Sequence, residues 1–298
     1  MHLLLCTDRT LYSEPAIAFG SRLAALLQAQ VTVLDASAKS HRGPVASASV
    51  AELCAGLTAA GLDCQTVVRS EIPRQAIIAQ ASQEPYDLVI VGLLQRGNPL
   101  RHWLRGPSTR RVLQKVTVPV LIVPADRPAL RRILLCSSDL WYPAETIELV
   151  GQIAQVSGAE VTLFYVVPQR PLHYPILREI EDAWGALLQT DTPQGRNLKA
   201  GRETLRKLSV ETGIILRHGP VTEQIMAEVR EGEYDLVALG STYAAQGLHR
   251  YFVSSITDLV VEHAGRPVLV VRHQRSRSEG SGVANRQLPQ QGGAPQHR

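Results

Sequence analysis

The chain has 298 residues, 45% of them hydrophobic and 19% charged, enough for two domains of ordinary size that each bury a core. Its net charge of +4 is modest and its basic groups crowd the C-terminal tail, which argues against a nucleic-acid reader presenting a basic face on a folded element. No apolar run approaches the roughly 20 residues of a membrane span, and the cysteines (Cys6, Cys54, Cys64, Cys136) show no CxxC or zinc-ligand spacing.

Leu3 to Thr7 is a short apolar run of buried-strand type that ends at Asp8. The opening Met1-His-Leu-Leu-Leu-Cys6 lacks a basic leader and a full apolar segment, so it reads as a first strand, not a lipoprotein signal. Residues 12 to 29 place Ala16, Phe19, Leu23, Leu26 and Leu27 at helical spacing. Val31 to Leu34 is a second strand, and a helix over 48 to 60 closes near Gly61. Cys64 to Val68 makes a third strand, and Arg74 to Ser82 a helix with Ala76, Ile77 and Ala79 inward. The strand Leu88–Val91, a loop from Gly92 to Gly106, a helix over 108 to 116 and the strand Val120–Val123 follow.

After Pro124-Ala-Asp-Arg-Pro128 the pattern restarts. Ile133-Leu-Leu-Cys136 matches Leu3-Leu-Leu-Cys6, and Val161-Thr-Leu163 matches Val31-Thr-Val33, both at an offset of 130 residues. Cys6 and Cys136 thereby read as small core residues, and a reducing, cytoplasmic compartment fits them. Helical stretches at 175–188, 198–210, 221–229 and 256–262 alternate with strands at 214–216, 236–239 and 268–271. Tyr86-Asp-Leu-Val and Tyr234-Asp-Leu-Val, about 150 residues apart, mark corresponding places in two copies of one unit. The predicted units are residues 1–126 and 130–273. The tail, 274–298, is too poor in apolar residues to offset its ordering entropy and is expected to be disordered.

Wholly apolar strands alternating with helices call for a parallel sheet covered on both faces, in α/β, doubly wound topology. Two such units, each with an Asp-Leu-Val strand, a Gly-containing loop and a closing Pro-Val-Leu strand, resemble a tandem member of the universal stress protein family. The resemblance covers nearly everything from Met1 to His273. It implies five strands per unit in the order 3-2-1-4-5, with ligands at the C-terminal ends of strands 1 and 4. Nucleotide-binding members have an Asp after strand 1 and a G-x2-G-x9-G-[ST] loop after strand 4, whose backbone approaches phosphates closely. Here the corresponding positions are Asp8, Gly92, Gly106, Ser108 and Thr109 in the first copy. In the second they are Asp139, Gly240, Ser241, Ser254 and Ser255. Both copies depart from the pattern. Gln95 and Tyr243 replace the second glycine, Pro107 follows Gly106, and Ser138 stands where the family has Asp.

Other sites fail on their chemistry. Gly92-x4-Gly97 has P-loop glycine spacing, but Asn98 and Pro99 stand where Lys and Ser/Thr belong. There is no G-x-S-x-G elbow and no zinc-spaced His pair, so neither a catalytic residue nor a metal site is expected. Arg96, Arg101, Arg105, Arg110 and Arg111 read as a solvated basic face, with phosphate contact as the alternative. His218-Gly219-Pro220 reads as a turn with Gly at a strained dihedral.

The expected function is a non-catalytic, cytoplasmic stress-response protein that senses an adenine nucleotide (ATP or AMP with Mg²⁺) or contacts protein partners. An ATP-binding member with slow ATPase or self-phosphorylation activity and a ligand-free adaptor are the alternatives. The strands Val120–Val123 and Val268–Val271 are expected to be sheet edges that pair, within the chain or in a homodimer.

Overall fold

The computed structural model describes residues 1–10, 13–37, 49–92, 108–137, 144–167, 191–242 and 249–273. The first copy runs β1 (His2–Thr7), α1 (Glu14–Leu27), β2 (Gln30–Asp35), α2 (Val50–Ala59), β3 (Cys64–Val68), α3 (Pro73–Gln83), β4 (Leu88–Gly92), α4 (Ser108–Lys115) and β5 (Val120–Val123). The second runs β6 (Arg132–Ser137), α5 (Ala144–Ser157), β7 (Glu160–Val167), α6 (Pro193–Lys207), β8 (Thr212–His218), α7 (Val221–Glu231), β9 (Leu236–Thr242), α8 (His249–His263) and β10 (Val268–His273). The predicted helix over 175–188, the predicted tail and the Gly-loop arginines Arg96, Arg101 and Arg105 lie outside the described residues.

All ten strands form one sheet, in the order β3-β2-β1-β4-β5-β10-β9-β6-β7-β8. Each half is a parallel 3-2-1-4-5 arrangement, and the halves meet where β5 and β10 pair antiparallel, Leu121 opposite Leu269. The closing strands are thus the edges of their own halves and pair with each other within the chain, one of the two pairings expected of them. The outer strands are β3 and β8, whose residues are half-buried or exposed. Alternation along every strand feeds two cores that both cross the junction. Leu3, Leu5, Leu121, Ile133 and Leu269 join α1, α2, α5 and α6 on one face. Leu4, Cys6, Ile122, Cys136 and Val270 join α3, α4, α7 and α8 on the other. Cys6 and Cys136 are buried free thiols at matching positions. One ion pair ties the first half to the end of its own unit and another spans the junction. Arg22 of α1 pairs with Asp126, and Arg110 of α4 with Asp258 of α8 at 2.8 Å. Arg110 and Arg111 are exposed, in line with a solvated face, and Arg110 in addition bridges the two halves.

Local chemistry explains the helix starts. Ser49 and Glu52 form a reciprocal capping box at α2, and the Thr192 side chain accepts from Gly195 N at α6. Two details differ from the helical-spacing reading. Leu26 is 46% exposed, because α1 turns that residue away from the sheet. In α3 the buried positions are Ala76, Ile77, Gln80 and Ala81, while Ala79 is only half-buried. Gly20 permits α1 to lie close on the sheet, since a Cβ there would stand 2.6 Å from Leu5 Cδ1. Gly20→Val should cost about 1–3 kcal/mol by overpacking, read as a lower urea midpoint at unchanged slope.

The repeated Tyr-Asp phrase works at the N-terminal edge of the sheet. Asp87 accepts from His2 N at 2.7 Å, and Asp235 accepts from Arg131 N and Arg132 N at 2.8 and 3.1 Å. The tyrosines anchor buried polar networks. In the first half Arg69 donates to Gln80 Oε1, whose amide donates to the Tyr86 hydroxyl at 2.9 Å. In the second, Arg217 donates to Glu228 at 2.6 Å and the Tyr234 hydroxyl donates to Glu228 at 2.7 Å. Burial, reinforced by that bond, pushes the Tyr234 hydroxyl up to about 12. The folded state thus holds this proton more tightly than an unfolded chain, whose tyrosine titrates near about 10. The associated stability is complete below about pH 10 and is lost as the pH rises through the folded value. Tyr234→Phe should lose about 1 kcal/mol at neutral pH and flatten the alkaline decline in urea midpoint; an unchanged decline would assign it to another group.

Candidate functional site

β1 and β4 are neighbours in the sheet, with Leu5 beside Ile90, so Asp8 and Gly92 emerge together at its C-terminal edge. Here the chain crosses to opposite faces, α1 to one and α4 to the other, which opens a crevice. Among the described residues it is lined by Cys6, Thr7, Asp8, Ser13, Ala36, Pro73, Ile77, Val91 and Gly92. These form only a shallow floor with an open volume of about 10 Å³, roughly that of one water.

Asp8 is held by a local turn. Its Oδ1 accepts from Thr10 N at 3.1 Å and from Thr10 Oγ1 at 2.6 Å. Ser13 Oγ donates to Thr10 O at 2.8 Å and lies 3.0 Å from Thr7 Oγ1, while Arg9 N donates to Thr7 Oγ1 at 3.0 Å. The turn leaves Asp8 Oδ2 without a hydrogen-bond donor among the described residues. Arg9 adopts a left-handed φ of 57°, a strained backbone for a residue with a side chain. Its Nε is buried without a hydrogen-bond partner. Sequence reasoning picked out Asp8 but missed Arg9, Thr10 and Ser13. The Asp-x-Thr-x-x-Ser spacing is the signal for such a turn.

The second half differs. Gly240 lies inside β9, beside Ser137 of β6 and Val271 of β10. The strand runs on, with Ser241 and Thr242 in register with Arg272 and His273. Ser241 therefore extends the sheet where the sequence suggested a loop. Gly92 is the last described residue of β4 and pairs with Val123 of β5. Thr109 is buried in the first turn of α4, and Ser108 starts that helix. Ser254 and Ser255 lie within α8, and Gly106 and Asp139 lie outside the described residues. His218 ends β8 with its Nε2 buried and unpartnered, and Gly219 takes a φ of 135°, the strained turn expected there. Among the described residues no cluster of His, Cys, Asp or Glu has the makings of a metal site, and no helix is long and apolar enough to cross a membrane.

A sequence model of the universal stress protein family matches residues 1–124 and 130–272. The chain belongs to the universal stress protein family. It is similar to a universal stress protein from Archaeoglobus fulgidus DSM 4304 at 17% identity and a TM-score of 0.62, over 92% of this chain and 97% of that one. It is also similar to a functionally unknown protein from Pseudomonas aeruginosa PAO1, at 17% identity and a TM-score of 0.64, over 91% and 92% of the two chains. At such identities these likenesses speak for the fold. No curated protein matches the chain. As a universal stress protein with two matched segments, it has two strand-1/strand-4 ends, and the described residues outline a crevice at the first.

Proposed function

We propose that this universal stress protein is a non-catalytic, cytoplasmic regulator that senses an adenine nucleotide in its first-half crevice. The observation that carries the reading is that Asp8 and Gly92 line one crevice at the ends of β1 and β4, with Asp8 Oδ2 left without a donor among the described residues. A glycine lets backbone approach a phosphate closely, whereas Gly240 has paired strands on both sides.

The first-half residues fit a nucleotide with Mg²⁺ in two respects. Asp8 has an oxygen left for a ribose hydroxyl or a metal-bound phosphate. Gly92 brings backbone without a side chain to the same crevice floor. The bound nucleotide would supply the phosphate charge that the regulator reads, and the protein residues hold and orient it.

Titration with Mg-ATP by calorimetry tests the proposal. Saturable binding near one equivalent, lost in Gly92→Val and Asp8→Ala but retained in Gly240→Val, is expected. Binding lost only in Gly240→Val would move the site to the second half. Absence of heat for ATP and AMP alike would leave the crevice as a connector and favour a ligand-free adaptor.

A further inference from the structure

Cys54 of α2 and Cys64 of β3 are joined by a disulfide, with a Cα–Cα distance of 5.6 Å and a sequence separation of 10. Nothing in their spacing announced the pair. Three observations set it apart from a permanent structural cross-link. The second half builds the same strand-edge geometry without one: Thr212 of β8 faces Val161 as Cys64 faces Val31. A cross-link is therefore no requirement of this architecture. The pair also sits at the rim, since β3 is an outer strand of the sheet. Cys64 is half-buried there, while Cys54 behind it is only 8% exposed. Cys64 is thus the more open residue of the two and Cys54 the more sheltered, an arrangement in which exchange starts on one side and resolves on the other. Cys6 and Cys136, by contrast, are fully buried in the core, and burial pushes both thiols up, which leaves them inert.

We infer that Cys54 and Cys64 form a reversible dithiol–disulfide couple that reports the thiol–disulfide balance of its surroundings. The oxidant is a small disulfide of the glutathione class. The Cys64 thiolate attacks one of its sulfurs; the new S–S bond forms as the old one breaks, and a small thiolate leaves. The Cys54 thiolate then attacks the Cys64 sulfur, closes the internal bond and expels the second small thiolate. The protein sulfurs give up two electrons, the small disulfide takes them, and the cysteine protons pass to solvent or to the departing thiolates. Excess small thiol reverses both steps. Closing the bond ties α2 to the outer strand, and opening it frees that edge. The inference does not depend on nucleotide binding in the crevice.

The test uses the folded full-length chain, equilibrated at graded ratios of reduced to oxidised glutathione. Free thiols are trapped with an alkylating reagent and located by peptide mass. Cys54 and Cys64 should change together, reversibly, between doubly alkylated and doubly protected, with Cys6 and Cys136 alkylated only after denaturation. The oxidised form should melt roughly 5 °C above the reduced form, because a short closed loop restricts the unfolded chain. Cys64→Ser should abolish that shift and melt like the reduced wild type. A bond that survives a large excess of reduced glutathione in the folded protein would make it a permanent cross-link and overturn the inference. So would two thiols that stay alkylatable in excess oxidised glutathione, or glutathione that stays attached to Cys64. These outcomes are read on the wild type, so they hold even if the variant fails to fold.

Discussion

Leu269→Asp should prevent stable folding of the whole chain, not merely of its second half. Leu269 is fully buried in β10 and stands opposite Leu121 of β5, at the seam between the two five-stranded halves. A carboxylate there would lie in an aliphatic core. Leaving a charge unpaired in such a place puts the substitution among the rare ones that cost more than about 4 kcal/mol. Because both cores run through the seam, that loss removes support from each half. The milder Leu269→Ala should cost about 2–5 kcal/mol through the cavity it leaves. It should also divide the urea transition, expected to be single in the wild type because both cores cross the seam, into two steps as the halves lose their coupling. An alanine variant that unfolds in one step at the wild-type midpoint would mean the seam contributes little.

Glu228→Leu is the second large effect. Glu228 is 4% exposed and accepts from both Arg217 and Tyr234. Leucine would leave the Tyr234 hydroxyl without its acceptor and strip Arg217 of its buried partner. Arg217 would keep Glu231, also at 2.6 Å, which limits the damage. We expect a loss of roughly 3 kcal/mol, near the lower bound for breaking a buried ion pair. Glu228→Gln should cost much less. The first half already uses a glutamine, Gln80, between Arg69 and Tyr86, so an amide suffices for this geometry. Equal losses in the two variants, by urea unfolding at neutral pH, would show that charge, not hydrogen bonding, holds the network.

Much of the fold was legible because the strands are short, apolar and duplicated. The matches of Leu3 with Ile133 and Val31 with Val161 located both copies, and alternation with helices required parallel sheets. What escaped sequence reading is what depends on distant partners. Gln80 was not among the inward residues read for its helix, yet it is buried because Arg69 and Tyr86 engage its polar atoms. Arg110 is exposed as read, but its pairing with Asp258 of the other half was not legible. The Cys54–Cys64 pair depends on how α2 lies against β3, which no spacing rule encodes. At the candidate site, Asp8 and Gly92 were legible as strand-end residues. The extension of β9 past Gly240 was not, because Gly-Ser-Thr reads as a loop unless β10 is seen to pair with it.

The central claim is nucleotide sensing by the first half, and its most direct test needs no added ligand. The purified chain and its Asp8→Ala variant are denatured, and the released small molecules are separated by chromatography. We predict that the wild type releases an adenine nucleotide, approaching one equivalent per chain, and that Asp8→Ala releases little. Equal release from both would contradict the assignment to Asp8. An empty wild type that also gives no heat with Mg-ATP or AMP would contradict sensing itself.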